Sequence, residues 1–449
     1  MKNKFNGKFF DRVSESPPLI LTLGFFVLIS IGALILSTPF VTRSGNPTNP
    51  IDAIFIAASA SCVTGLSPVN TAEHWNSLGQ VVIIILIQIG GLGIMTLASI
   101  IPLILRKKIG IKTRLILKEQ LNIESMEGII RLFRYVLGFT LVVESLGALF
   151  LAIRFVPTYG LGKGIWFSIF HSISAFCNAG FDLLGDSIYP LRNDYLVNIT
   201  LMALVIIGGL GFMVTSEIYN KRHFKYLSTH SKLVLITNAG LILAGALGFF
   251  ILESLKGGVL NNESISDGVL ISFFQSVSAR TAGFYSTDLS KINDSTSLLL
   301  ISLMFIGGSP GSTAGGIKTT TFAVLILAVL SVIKNEKEPI VFKRRISNDT
   351  IKKALSIFVI SLSLLILISF VIAAIEDFSF IDILYETGSA LGTVGATRGI
   401  TDKLSDISKV LITVCMYLGR IGPMTMALSF GLKSDVRLIR YPEGFLSIG

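Results

Sequence analysis

Charge is scarce in this chain. Only 15% of its 449 residues are Asp, Glu, Lys or Arg, while 51% are hydrophobic and the mean hydropathy is +0.73. A soluble domain carries ~25% charged residues. The deficit excludes a soluble enzyme, a disordered chain and a coiled coil, and leaves a polytopic membrane protein. Cysteine is scarce too. Cys62, Cys177 and Cys415 are odd in number, far apart and without a CxxC, which argues against a disulfide framework or a zinc site. The four histidines, His74, His171, His223 and His230, form neither HExxH nor a facing pair, which disfavours a metalloenzyme and an ammonium pore. His171 is expected to be a packed histidine. The apolar stretch after Lys2, Lys4, Lys8 and Arg12 is too long for a signal peptide and has no clear cleavage site, so it is read as a retained first span.

Long hydrophobic runs are plentiful. Six are nearly free of charge: Leu19–Phe40, Leu78–Leu105, Tyr135–Ile153 (with Glu144), Tyr195–Ser216, Leu233–Leu252 and Ala354–Ile375. Two more are interrupted, Leu298–Ile333 by Lys318 and a Gly/Ser/Pro stretch, and Val410–Leu432 by Arg420. Eight spans place both termini on one side. Residues 1–18, 106–134, 217–232, 334–353 and 433–449 together hold 26 Lys/Arg against 11 Asp/Glu, whereas the rest of the chain holds 12 against 17. The positive-inside rule makes the first set cytoplasmic, and so both termini. The net charge of +10 then needs no nucleic acid to account for it.

Between the spans lie four apolar segments too short to cross twice: Ile51–Leu66, Ile165–Phe181, Val269–Phe284 and Ile381–Ala396. Each reads as a short helix closed by a glycine peptide. The peptides are Cys62-Val63-Thr64-Gly65, Cys177-Asn178-Ala179-Gly180, Arg280-Thr281-Ala282-Gly283 and Gly392-Thr393-Val394-Gly395. A second landmark follows each one: Gly90, Gly208, Gly307 and Gly419 lie 25, 28, 24 and 24 residues further on. Four copies of span, short helix, glycine peptide and span with a mid-span glycine predict an all-α membrane protein. Its four tandem hairpins, eight transmembrane helices in all, surround one pseudo-fourfold axis. The repeats cover 19–105, 129–220, 231–333 and 353–433, with tails 1–18 and 434–449.

Irregular backbone at membrane depth is tolerated only where it lines a cavity or is buried in protein. Four such peptides converging on an axis can replace the water shell of a monovalent cation with carbonyl oxygens. Glycine supplies the positive φ this requires, and the short helices aim the negative ends of their dipoles inward. No ring of acidic side chains is present, which argues against calcium-type selectivity. Asn178 either lines the pore or holds its loop.

On CVTGL, CNAGF, RTAGF, the TVGA segment, GSPGSTAGGIKTTT and LGRIGPMT, the sequence resembles the Trk/Ktr/HKT superfamily of potassium transporters. The likeness is nearest to the membrane subunit of the bacterial Ktr system. It covers the chain from about Leu19 onward. The resemblance implies four M1–P–M2 repeats forming a single-chain pore, usually in a homodimer with one pore per protomer. It also implies a cytosolic ring of nucleotide-binding regulatory (RCK-type) subunits and a location in the plasma membrane. Glycine at all four filter positions implies preference for K⁺. Ala396 departs from Leu66, Phe181 and Phe284 at the next position. The chain is expected to bind no cofactor of its own. Two alternatives stay open, a Na⁺-coupled K⁺ symporter, because both mechanisms use one pore, and a less selective monovalent cation transporter.

Three further features bear on control. Gly307-Gly308-Ser309-Pro310-Gly311-Ser312-Thr313-Ala314-Gly315-Gly316 cannot hold a continuous helix, with its five glycines and one proline among ten residues. Ile317 before Lys318 excludes a Walker A motif. The segment is either a packing kink or, as the resemblance implies, a loop that obstructs the pore, anchored by Lys318. Arg420 replaces the second glycine of the pairs ending in Gly91, Gly209 and Gly308. A charge at that depth costs at least ~2.5 kcal/mol, so Arg420 either pairs with Glu144, Glu386 or loop carbonyls, or limits flux and steadies the loop. The basic loops, including Lys343-Arg344-Arg345, set topology, meet lipid headgroups and are expected to dock the regulator.

Overall fold

Glycine and the capping residues punctuate this chain. The computed structural model describes residues 17–93, 129–255 and 257–422. The described residues open with α1 (Pro17–Leu36), α2 (Pro50–Cys62) and α3 (Ser77–Leu92). Next come α4 (Ile129–Tyr159), α5 (Leu161–Phe176), α6 (Tyr195–Gly209) and α7 (Phe212–Lys221). Then follow α8 (Thr229–Leu255), α9 (Ile265–Ser278), α10 (Asp294–Phe305) and α11 (Thr319–Ile333). A two-stranded antiparallel hairpin, β1 (Ile340–Val341) and β2 (Arg344–Arg345), precedes α12 (Asn348–Ala373), α13 (Phe380–Gly392) and α14 (Asp406–Ile421). The protein is mostly helical. Among the described residues α1, α4, α8 and α12 are each long and apolar enough to cross a membrane, and the bent pair α6 and α7 makes a fifth candidate.

Helix starts are written in the sequence. Asn49, Asn76 and Asp194 accept backbone N–H groups at the heads of α2, α3 and α6. Ser264 and Ser379 form reciprocal pairs with Asp267 and Asp382 three residues on, at the heads of α9 and α13. Each cap before α3, α10 and α14 is also tied to the helix that opens its own stretch of chain, or to the turn just after it. Asn76 donates to Phe40 O, Glu253 accepts the Asn293 amide, and Glu376 accepts the Ser405 amide and hydroxyl. Burial pushes the Glu376 carboxyl up, but the bonds from Ser405 and Ser408 outweigh it and hold it below the usual carboxylate range.

One expectation is corrected here. Tyr195–Ser216 reads as a continuous span, but the chain turns by 99° between α6 and α7, with Gly211 at φ 93°. Helices α3 and α14 also stop at a glycine of positive φ, Gly93 at 88° and Gly422 at 89°. These are the last glycines of IGGLG, IGGLG and LGRIG, so three helices end at or just before equivalent glycines. The rest of Leu78–Leu105 and Val410–Leu432, the 106–128 stretch and both tails lie outside the described residues.

Polar ties join consecutive stretches at the surface around α2 and its counterparts. Asn70 donates to Gly185 O, Arg192 pairs with Glu263 at 2.9 Å, and Arg398 pairs with Asp382 and reaches Ser297. Lys409 on α14 closes back to Asp52 on α2 at 2.8 Å, their side chains only 10% and 16% exposed. Removing one member strands the other. Lys409→Met is expected to cost roughly 2–3 kcal/mol, and Asp52→Asn in the same chain to recover part of it. Thermal unfolding in detergent checks this; equal losses in the single and double variants would remove the pair from the fold's support.

Candidate functional site

Each of α2, α5, α9 and α13 runs into one of the four glycine peptides, and the four share a backbone. The second residue of each is left-handed: Val63 (φ 58°), Asn178 (60°), Thr281 (81°) and Thr393 (50°). The fourth is a glycine of positive φ: Gly65 (97°), Gly180 (70°), Gly283 (74°) and Gly395 (95°). Such conformations cost ~1–3 kcal/mol for ordinary residues and persist only when their surroundings hold them.

The surroundings are each other. A Cβ on Gly65 would strike Ala179 O and Gly180 Cα. On Gly180 it would strike Ala282 O and Gly283 Cα, on Gly283 Val394 O and Gly395 Cα, and on Gly395 Thr64 O and Gly65 Cα. The contacts run in chain order and return to their start, so the four peptides form a closed ring. The third-residue carbonyls occupy the space into which side chains would otherwise project.

A serine in each helix fixes the ring from behind. Ser59 and Ser389 accept the Gly65 and Gly395 amides, both at 3.0 Å. Ser174 and Ser278 donate to Phe181 O and Phe284 O, beyond the glycine. Asn178 does not stand alone on an axis: its side-chain amide meets the Thr281 hydroxyl of the next peptide at 3.0 Å, so it holds the loop. The mid-span glycines admit backbone to backbone. A Cβ on Gly90, Gly208 or Gly419 would fall on Ser61 O, Phe176 O or Leu391 O, in each case the residue just before the peptide.

On one face of the ring lies a cavity of about 450 Å³ lined by all four peptide glycines, Tyr285, Asp182 and Asp402, with no cationic side chain in its wall. On the other side lies the loop 307–316. Ser309 N and Thr313 N donate to Gly209 O and Gly208 O, and Gly311 O accepts from Phe212 N. These are backbone groups that the bend between α6 and α7 frees, so the loop fills that break. Thr313 Oγ1 donates to Phe176 O at 3.0 Å, and Gly315 packs against Thr393. Ser312 Oγ donates to Ser309 O and Lys318 Nζ to Ala314 O.

Arg420 pairs with neither Glu144 nor Glu386. Its guanidinium donates to Thr313 O of the loop and to Gly90 O and Gly91 O at the end of α3, at 2.5 and 3.1 Å for the latter two. Glu144 instead accepts from Gln88, and Glu386 from Thr397 and Thr401 behind the fourth peptide. Arg280 turns its buried side chain away from the ring, donating to Asn238 Oδ1 at 2.6 Å and Gly307 O at 3.0 Å. His171 is packed, bonded to Phe167 O and ringed by Phe155, Phe167 and Phe170.

All four peptides, Arg420 and the loop therefore meet in one place. Sequence reasoning missed Asn238 and the four serines. The serines had a signal, since Ser59, Ser174 and Ser389 stand six residues before the glycine and Ser278 five. Asn238, a lone amide in an apolar helix, had none.

The profile described as "TrkH: Cation transport protein" matches residues 20–437. The chain is similar to the Ktr system potassium uptake protein B of Bacillus subtilis, 43% identical over 437 residues, covering 97% of this chain and 98% of the relative. It is also 42% identical over 444 residues to the potassium/sodium uptake protein NtpJ of Enterococcus hirae, covering 98% of each. Among solved structures, the potassium transporter TrkH of Vibrio parahaemolyticus superposes with a TM-score of 0.73 at 20% identity, covering 92% of this chain and 84% of that one. That likeness is one of fold.

Proposed function

Because the chain belongs to the TrkH cation transport family and is a membrane transporter of the Ktr/Trk kind, not an enzyme, we propose that it takes up K⁺ through the ring of glycine peptides. The single observation that carries this is the closed succession of Gly65, Gly180, Gly283 and Gly395, each seated on the next peptide's carbonyl. In this reading the carbonyls of 62–65, 177–180, 280–283 and 392–395 replace the ion's hydration shell. The C-terminal ends of α2, α5, α9 and α13 face the ion with partial negative charge. Asp182 and Asp402 raise the cation concentration in the outer cavity. The four repeats are 19–105, 129–220, 231–333 and 353–433, arranged as eight spans with both termini in the cytoplasm.

The loop 307–316 is the gate. It lies across the inner side of the ring, held by Gly208, Gly209 and Phe176 on one flank and Arg420 on another. Lys318 braces it from within. Its opening is set by a cytosolic nucleotide-binding ring docked on the basic inner loops, with the transporter working as a homodimer. No nucleotide-binding motif stands in this sequence, so that control acts in trans.

Purified protein in proteoliposomes tests the reading. Voltage-driven K⁺ uptake without Na⁺, exceeding Na⁺ uptake under the same conditions, is the expected result. Equal uptake of both ions would overturn the filter assignment. A second reading, Na⁺-coupled K⁺ symport, has support in the potassium/sodium description of the Enterococcus relative, and an absolute requirement for a Na⁺ gradient would favour it.

A further inference from the structure

Arg280 belongs to the third glycine peptide, yet its charge is spent elsewhere. The side chain is buried, and its Nε–H has no partner among the described residues. Its remaining bonds go to two acceptors, Asn238 Oδ1 and Gly307 O. No carboxylate among the described residues pairs with it. A buried cation so sparsely supported depends heavily on each partner.

Both partners lead to the same loop. Gly307 is the loop's first residue. Asn238, on α8, uses its other side-chain atom to donate to Ser309 Oγ at 3.0 Å. Ser309 Oγ also accepts from Thr319 Oγ1 at 3.1 Å, at the loop's far end, and Ser309 O receives Ser312 Oγ. Asn238 is itself fixed, because Nδ2 also donates to Val234 O at 2.8 Å on its own helix. One amide on a rigid helix therefore grips the filter with its oxygen and the loop with its nitrogen. A small cavity of about 20 Å³, room for about one water, lies beside Asn238, Arg280 and Gly308.

We propose that Asn238 is a positioning residue that couples the third filter peptide to the gate loop, so that displacing the loop alters how the ring discriminates between ions. The inference rests on the gate-and-filter reading above. Displacing the loop pulls Ser309 and Gly307 away and strips the Arg280 guanidinium of its supports. The Arg280–Thr281 backbone then shifts. By linkage the effect is reciprocal: an ion that holds the ring in its closed-packed form holds the loop as well.

The test uses Ser309→Ala, a substitution in the loop that touches no atom of the ring. It is expected to lower the K⁺ over Na⁺ uptake ratio about fivefold, within the usual range of such couplings. In an Asn238→Leu background it is expected to lower that ratio no further. Asn238→Asp keeps an acceptor for Arg280 and a partner for the Ser309 hydroxyl, and is expected to retain discrimination close to the parent's. It keeps the test decisive should the leucine variant fold poorly. An unchanged ratio in Ser309→Ala, an equal fall in the leucine background, or loss of discrimination in Asn238→Asp would each overturn the coupling. The underlying reading fails separately, if deletion of the loop leaves total flux unchanged.

Discussion

Deleting Ser309–Ala314 is expected to raise K⁺ flux at least about tenfold, the equivalent of removing ~1.4 kcal/mol from the barrier. The geometry favours a clean deletion. The loop's ends already lie together: Ile306 bridges Ile317, Thr319 N donates to Gly308 O at 3.0 Å, and Gly307 packs on Gly315 and Gly316. Joining Gly308 to Gly315 removes the arch and leaves its feet. The carbonyls of Gly208 and Gly209 lose the amides of Thr313 and Ser309, but they then face a hydrated path, where water can serve them. Arg420→Ala should act in the same direction and less strongly, because it releases the loop at one carbonyl and leaves the bonds to Gly208 and Gly209. Uptake into proteoliposomes, normalised to protein of unchanged thermal stability, measures both. A deletion variant that is well folded and no faster would show that the loop obstructs nothing.

Gly65→Ser is the second. At φ 97° a side chain is strained wherever it points, and here its Cβ would stand 2.5 Å from Ala179 O and 3.1 Å from Gly180 Cα. The neighbouring peptide must give way, and with it the spacing of carbonyls to which the proposed function assigns discrimination. Strain of ~1–3 kcal/mol displaced into the ring corresponds to a loss of at least about fivefold in the K⁺ over Na⁺ uptake ratio. Gly399→Ala is the matched control. It has a similar φ, 88°, but its Cβ would meet nothing within 4 Å. Strain alone should therefore cost stability and leave selectivity intact. Equal effects of the two substitutions on the ratio would mean that the clash within the ring is irrelevant.

The order of elements and the ring were legible because they recur. Cys62–Gly65 and its three counterparts each end in a glycine that a second glycine follows after 24 to 28 residues, a pattern that chance does not produce four times. What did not recur was harder to read. The bend at Gly211 looks like ordinary span sequence, since isolated glycines are common in membrane helices. Its cause is visible only in space, where the loop from residues 309–313 enters the break and bonds the freed backbone. Arg420 was recognisable as costly, but its partners, Thr313 and Gly90, stand 107 and 330 residues away. Its alternatives, Glu144 and Glu386, were equally plausible carboxylates until distance settled the matter. Asn238 carries no pattern at all, because a single amide matters only through what faces it.

Arg420 has one further consequence. A channel assembled from four identical subunits must place four copies of any residue around its axis. Four guanidiniums at this depth would repel one another and expel cations. Four like stretches joined in a single polypeptide escape that stoichiometry. Three of them keep Gly91, Gly209 and Gly308, and one bears a lone charge, long enough to reach both the loop and the end of α3. A single chain of unequal stretches thus admits one guanidinium on one side of the ring, an arrangement that exact rotational symmetry forbids.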